Sequence, residues 1–206
     1  AALEPFGDAA KDADALGKKL ANGRAVFFGK ARCTNCHVGD NFTDNAFHNL
    51  GVGAVDGKLP HDQAGRWLRL PTGHKDATQY GAFKTPGLRH LLGHAPYLHD
   101  GSEQTLEAVV DFYDRGGNAN EFLDAKMRDV DAEEAYLKAK AGGGGTAPAA
   151  TVFTRGGRPV IPLRLNLTPD EKADLVLFLK ALQGDPIDPM VADPQKFPQP
   201  ASVSRR

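Results

Sequence analysis

The chain has 206 residues, 25 basic and 26 acidic side chains, a net charge of −1 and two cysteines. That length supports one well-formed core, and the even charge balance argues against a nucleic-acid or anionic-membrane partner. No stretch approaches the roughly 18 consecutive apolar residues that a membrane span requires.

Residues 9–30 are good helix formers, with Leu16, Leu20, Gly23 and Phe27 at three-to-four spacing, which predicts an amphipathic helix. Gly23 inside it costs about 1 kcal/mol relative to Ala and points to the close approach of a second helix. The helix runs into Cys33-Thr34-Asn35-Cys36-His37, the CxxCH pattern of c-type haem attachment. Each thiol can add across a haem vinyl group to form a thioether, which brings the His37 imidazole under the iron as proximal ligand. A redox CxxC would accompany a βαβ pattern, and a zinc site needs two further ligands at short spacing; neither occurs. The two cysteines are the only ones, so no thiol is left for a disulfide or a nucleophile. One covalent haem c is therefore expected. Such attachment takes place outside the bacterial cytoplasm, so the periplasm is the expected compartment, with a leader removed before Ala1.

Residues 41–60 carry too many Gly and Asn for regular structure and are expected to loop over the haem edge. A short helix is expected at 62–70. A further helix is predicted over 102–115, stopped by Gly116-Gly117, with Leu106, Val109, Val110 and Tyr113 on one face, so that Tyr113 points inward. Residues 139–162 are rich in Gly and Pro and read as an insert, flexible in part, with Thr151-Val152-Phe153-Thr154 as a short strand or hairpin arm. Thr168-Pro169-Asp170-Glu171 is a capping-box start, and Leu175, Phe178, Leu179 and Leu182 continue it as an apolar stripe. From Gly184 onward the chain is proline-rich and reads as an extended tail. The fold class is mainly α: a single cytochrome c-type haem domain over 1–183 with long loops and the insert, then a tail over 184–206.

Three stretches go further than the haem motif: Phe83-Lys84-Thr85-Pro86-Gly87-Leu88-Arg89-His90, Ala95-Pro96-Tyr97-Leu98-His99-Asp100-Gly101-Ser102, and Thr105-Leu106-Glu107 through Tyr113-Asp114-Arg115-Gly116-Gly117. Together they resemble the C-terminal haem domain of the bacterial di-haem cytochrome c peroxidase and MauG family. The segments 42–51 and 167–182 are similar to that family too, so the resemblance covers nearly all of the chain except the insert and tail. Family members carry two haems, whereas this sequence has a single CxxCH; the motif of a second, peroxidatic haem does not occur in it. The resemblance thus implies a mono-haem electron-transfer protein working with a redox protein or a second haem domain. The alternative is a peroxide-dependent haem enzyme of the peroxidase or MauG kind, which needs an open distal site and a group able to move a proton.

The resemblance places the distal iron ligand at Tyr113, where the peroxidases have a methionine and MauG-like members a tyrosine. A thioether favours Fe(II) and a phenolate Fe(III), so a tyrosine ligand implies a low potential. The helical phase suits an ordinary core tyrosine equally well. Met127 and Met190 are alternative ligands, although methionines more often fill gaps, and bis-histidine ligation would draw on His48, His61, His74, His90, His94 or His99. By resemblance His99 would hydrogen-bond a haem propionate; otherwise it stabilises its turn. Arg89 and Lys84 are candidates for propionate neutralisation, because buried carboxylates need cationic partners. In the family, carbonyls matching His94-Ala95-Pro96 help to hold an interdomain calcium. Without a second domain to complete six to eight oxygen ligands, that site is expected to be absent or weak.

Overall fold

The computed structural model describes residues 4–184; the expected tail from 185 on, Met190 included, lies outside them. Among the described residues four α-helices and two minimal sheets are joined by long loops and 3-10 turns. Among the described residues no helix is long and apolar enough to cross a membrane.

Helix α1 spans Ala13–Phe28. It starts later than its composition predicts because Asp12 caps it, its carboxylate accepting the Ala15 N–H at 2.9 Å; the preceding residues form 3-10 turns broken at Gly7. After α1 comes a two-stranded antiparallel ladder in which β1 (Phe47–His48) pairs with β2 (Phe83–Lys84), so the expected loop over 41–60 holds one short strand. The helix expected over 62–70 is instead two 3-10 turns, His61–Gln63 and Arg66–Arg69. Gly65 separates them at φ 55°, a left-handed conformation that favours glycine.

Helix α2 spans Leu106–Asp114; Thr105 caps it through the Ala108 N–H, four residues inside the predicted start. Helix α3, Val130–Ala141, has no apolar stripe to announce it. It is pinned by Glu133, a buried carboxylate that turns inward to accept two hydrogen bonds from Arg128 and one from the Ile161 N–H. The predicted hairpin arm pairs as β3 (Val152–Phe153) with β4 (Pro159–Val160). The insert therefore differs from its sequence reading at both ends: it begins inside α3, and Val160 and Ile161 are core residues. Helix α4, Pro169–Ala181, opens with the expected capping box, Thr168 and Glu171 satisfying each other's backbone N–H groups.

The main core forms where α1 crosses α4, with α2 packed against α4: Val26, Phe27, Leu106, Val110, Leu175 and Phe178 are buried together. Gly23 is the contact point of that crossing. A Cβ there would overlap the Asp174 carbonyl and touch the Phe178 Cβ, so only glycine lets the two backbones approach this closely. Asp174 is itself buried and held by Asn22 Nδ2 at 2.7 Å.

Candidate functional site

Directly after α1 the chain reverses. Arg32 takes a left-handed conformation and opens the 3-10 turn Cys33–Asn35, which the His37 N–H closes onto the Cys33 carbonyl at 2.9 Å. This turn brings both thiols and the imidazole to one wall of a cavity of about 680 Å³, within the roughly 300–1,000 Å³ range of cofactor pockets. Leu175 and Leu179 of α4 and Leu106, Val109 and Val110 of α2 supply apolar lining, as does Phe27 of α1.

His37 has its proton placed by the fold. Its Nδ1 lies 2.8 Å from the Phe42 carbonyl oxygen, which only accepts, so Nδ1 carries the hydrogen and Nε2 keeps the lone pair. Burial lowers the His37 pKa, opposed by the Phe42 carbonyl and the Asp44 charge, which favours the neutral, metal-binding imidazole. Both cysteines are free thiols. Burial pushes the Cys33 thiol up to about 12 and raises Cys36 as well, against the pull of the Lys126 ammonium.

Tyr113, on α2, borders the same cavity as the three motif residues. Part of its surface faces the cavity, yet its phenol is remote from bulk water, and burial raises its pKa well above the usual value, with the nearby Cys33 and Cys36 adding to the effect. An ionised phenol there would need a cation inside the cavity. Met127, at the end of the turn Ala125–Met127, also reaches the cavity, its methyl lying against Gly117.

The other residues singled out from the sequence reach the cavity lining too. The Arg89 guanidinium donates to the Asp40 carbonyl at 2.8 and 3.0 Å and lies over the Phe42 ring. The Lys84 ammonium donates to Asn45 Oδ1 at 2.7 Å. His99 stacks on Phe83 with ring centroids 3.4 Å apart and donates from Nε2 to Gln63 Oε1 at 2.8 Å. Burial lowers its pKa, against the attraction of Asp100. Of the alternative histidines, His48, His94 and His99 line the cavity; His61, His74 and His90 do not.

An apolar slot, two free thiols, an imidazole with its Nε2 available and a lining that carries the cations Lys84 and Arg89 fit a haem with its two propionates. Cys33 and Cys36 would hold its edge, His37 its iron, and the two cations its carboxylates.

One feature of the site escaped sequence reading. Lys126 Nζ donates to the Asn35 carbonyl at 2.6 Å and lies 3.3 Å from Asp44 Oδ2 and 3.8 Å from Cys36 Sγ. His48 bridges Asp44 at 2.9 Å and Asp124 at 2.7 Å through its two ring nitrogens. Asp44 is held well below the usual carboxylate range: burial alone would raise it, but hydrogen bonds from His48, the Ala46 N–H, Thr85 and Lys126 outweigh that. Cys36, Asp44 and His48 offer ligand atoms within 4.8 Å of one another. The Lys126 ammonium already supplies the positive charge there, so the cluster reads as a charge network rather than a metal site.

Searched against protein-family models, the chain matches none. It is 39% identical over 123 residues to the methylamine utilization protein MauG of Methylorubrum extorquens, covering 60% of this chain and 33% of that protein. It is 29% identical over 209 residues to the cytochrome-c peroxidase IdrP1 of Pseudomonas sp. strain SCT, covering 91% and 45%. Among solved structures it resembles a MauG-like protein associated with microbial copper homeostasis, at TM-score 0.54 and 27% identity over 86% of this chain and 50% of that one. The chain thus spans less than half the length of these curated relatives. Its fold, its cavity and these likenesses agree: the chain is a homologue of the di-haem MauG and cytochrome c peroxidase proteins.

Proposed function

We propose that this chain is a periplasmic c-type cytochrome domain that binds one haem covalently through Cys33 and Cys36 and passes single electrons to and from a redox protein or a second haem domain. In this reading residues 1–183 form the haem domain, with its insert, and 184–206 a tail. The observation that carries it is the meeting of Cys33, Cys36, His37 and Tyr113 on one largely apolar cavity. A haem bound there supplies a one-electron couple.

The chain's own residues then have distinct tasks. The Phe42 carbonyl fixes the His37 tautomer and orients the ring. Tyr113 would offer the iron a hard oxygen, which favours the oxidised state, and Met127 a softer alternative. Arg89, Lys84 and His99 line the cavity and would give the propionates N–H partners. The apolar lining from α2 and α4 keeps water from the buried face.

The test is the chain produced in a host with haem c maturation. A haemochrome assay and intact mass are expected to report one haem bound through two thioethers. Ferric paramagnetic resonance of wild type and Tyr113→Phe is expected to differ; identical spectra would remove Tyr113 from the iron, and a protein without covalent haem would sink the proposal.

A second reading, a peroxide-using enzyme, is favoured by the cavity's size and by the names of the relatives, MauG and cytochrome-c peroxidase. It requires a displaceable distal ligand, with a group such as His99 or His48 to move a proton. Steady consumption of peroxide with an added electron donor would establish it over the first.

A further inference from the structure

We infer that Lys126 and Asp44 form an opposed charge pair that sets the potential of the haem held at Cys36, Lys126 raising it and Asp44 lowering it. The inference rests on the proposed covalent haem.

Lys126 is placed with a firmness unusual for a half-exposed lysine. Its ammonium contacts the Asn35 carbonyl, Asp44 Oδ2 and the Cys36 sulfur, 82 to 91 residues away in sequence. These contacts complete a closed ring. Lys126 meets Asp44, Asp44 meets His48 Nε2, His48 Nδ1 meets Asp124 Oδ2, and Asp124 Oδ1 accepts the Lys126 backbone N–H at 2.9 Å. The ring is anchored to the attachment loop a second time, because the Asp44 N–H donates to the Cys36 carbonyl at 2.8 Å. A solvated lysine on a free side chain would have none of these constraints.

The sulfur that Lys126 faces is one of the two that the haem reading joins to the porphyrin. Reduction adds one negative charge to the haem, so a fixed cation beside that sulfur favours the reduced state and a fixed anion the oxidised state. The side chains of Lys126 and Asp44 are 38% and 18% exposed, so salt screens the pair in part and the shifts are expected to be larger at low ionic strength. Removing one member leaves the other uncompensated, and the two removals must therefore act with opposite sign. A purely structural role for the ring would not reverse sign in this way.

The experiment is an equilibrium redox titration of the haem-loaded chain as wild type, K126Q, K126R and D44N, with ferric spectra recorded for each. K126Q is expected to disfavour reduction about tenfold, a fall of about 59 mV for a one-electron couple. D44N is expected to move the potential upward, and K126R to stay near wild type because it keeps the charge. Ferric spectra are expected to match wild type throughout, since the charges act through space. Shifts of the same sign in K126Q and D44N, no shift in either, or altered ligation in K126Q would each overturn the inference. The haemochrome assay, run first, separates this outcome from failure of the haem reading: a wild-type chain without haem would overturn both.

Discussion

Gly23→Ala is expected to destabilise the protein even though alanine is the better helix former. In the interior of a helix the exchange gains about 1 kcal/mol of propensity. At Gly23, however, the new methyl would overlap the Asp174 carbonyl and press on the Phe178 Cβ. Neither neighbour is the flexible end of a side chain, so α1 and α4 must move apart across the main core. Overpacking of this kind costs about 1–3 kcal/mol, and backbone overlap puts it at the upper end, leaving a net loss of about 2 kcal/mol. For a chain of this length that lowers the thermal midpoint by roughly 4–8 °C. Gly17, two turns earlier on the same helix, is the control: a Cβ there has nothing within 4 Å. Gly17→Ala should therefore raise stability by about 0.5–1 kcal/mol. The assay is thermal unfolding of the three proteins in one haem state, followed by far-ultraviolet circular dichroism. A Gly23→Ala midpoint equal to or above that of Gly17→Ala would refute the close crossing of α1 and α4.

Glu133→Ala strands the Arg128 guanidinium and the Ile161 N–H that Glu133 now satisfies; a loss of about 3 kcal/mol is expected from breaking a buried pair, read from chemical denaturation. Asp114 carries a pH prediction. Burial raises its pKa, but the Leu167 N–H and Lys172, at 2.6 Å, outweigh burial and hold it below the ordinary value. A depressed folded value contributes stability above the unfolded pKa of about 3.9 and loses it as pH falls through the folded one. Asp114→Asn should accordingly be less stable at neutral pH and show a shallower acid limb; an unchanged limb in pH-dependent denaturation would count against the ion pair. Met127→Leu is expected to leave the ferric spectrum of the haem protein unaltered if Tyr113 is the distal ligand. Loss of a red-region charge-transfer band in that variant would transfer the role to Met127.

What could be read from the sequence was local in origin. CxxCH is a five-residue pattern, and the fold realises it as one turn, Cys33–Asn35, closed onto His37. Gly23 was legible because a glycine inside a helix has a known cost that only packing offsets, and α4 was legible because Thr168 and Glu171 cap it within four residues. Helix α3 was not legible, since its stabilising residue is Glu133, a carboxylate turned inward against Arg128, and a charged residue on the buried side defeats any search for an apolar stripe.

The Lys126 ring escaped for a related reason: its members come from residues 36, 44, 48, 124 and 126, and no spacing rule links them. The two kinds of information divide the site between them. Local pattern predicts the attachment residues, and the Phe42 carbonyl sets which His37 nitrogen is free. Long-range charge contacts, if the chain carries electrons as proposed, fix how readily one leaves. On that proposal, two chains with the same CxxCH turn and the same α2 would differ in potential through positions 44 and 126 alone, and a comparison of haem domains by motif would miss it.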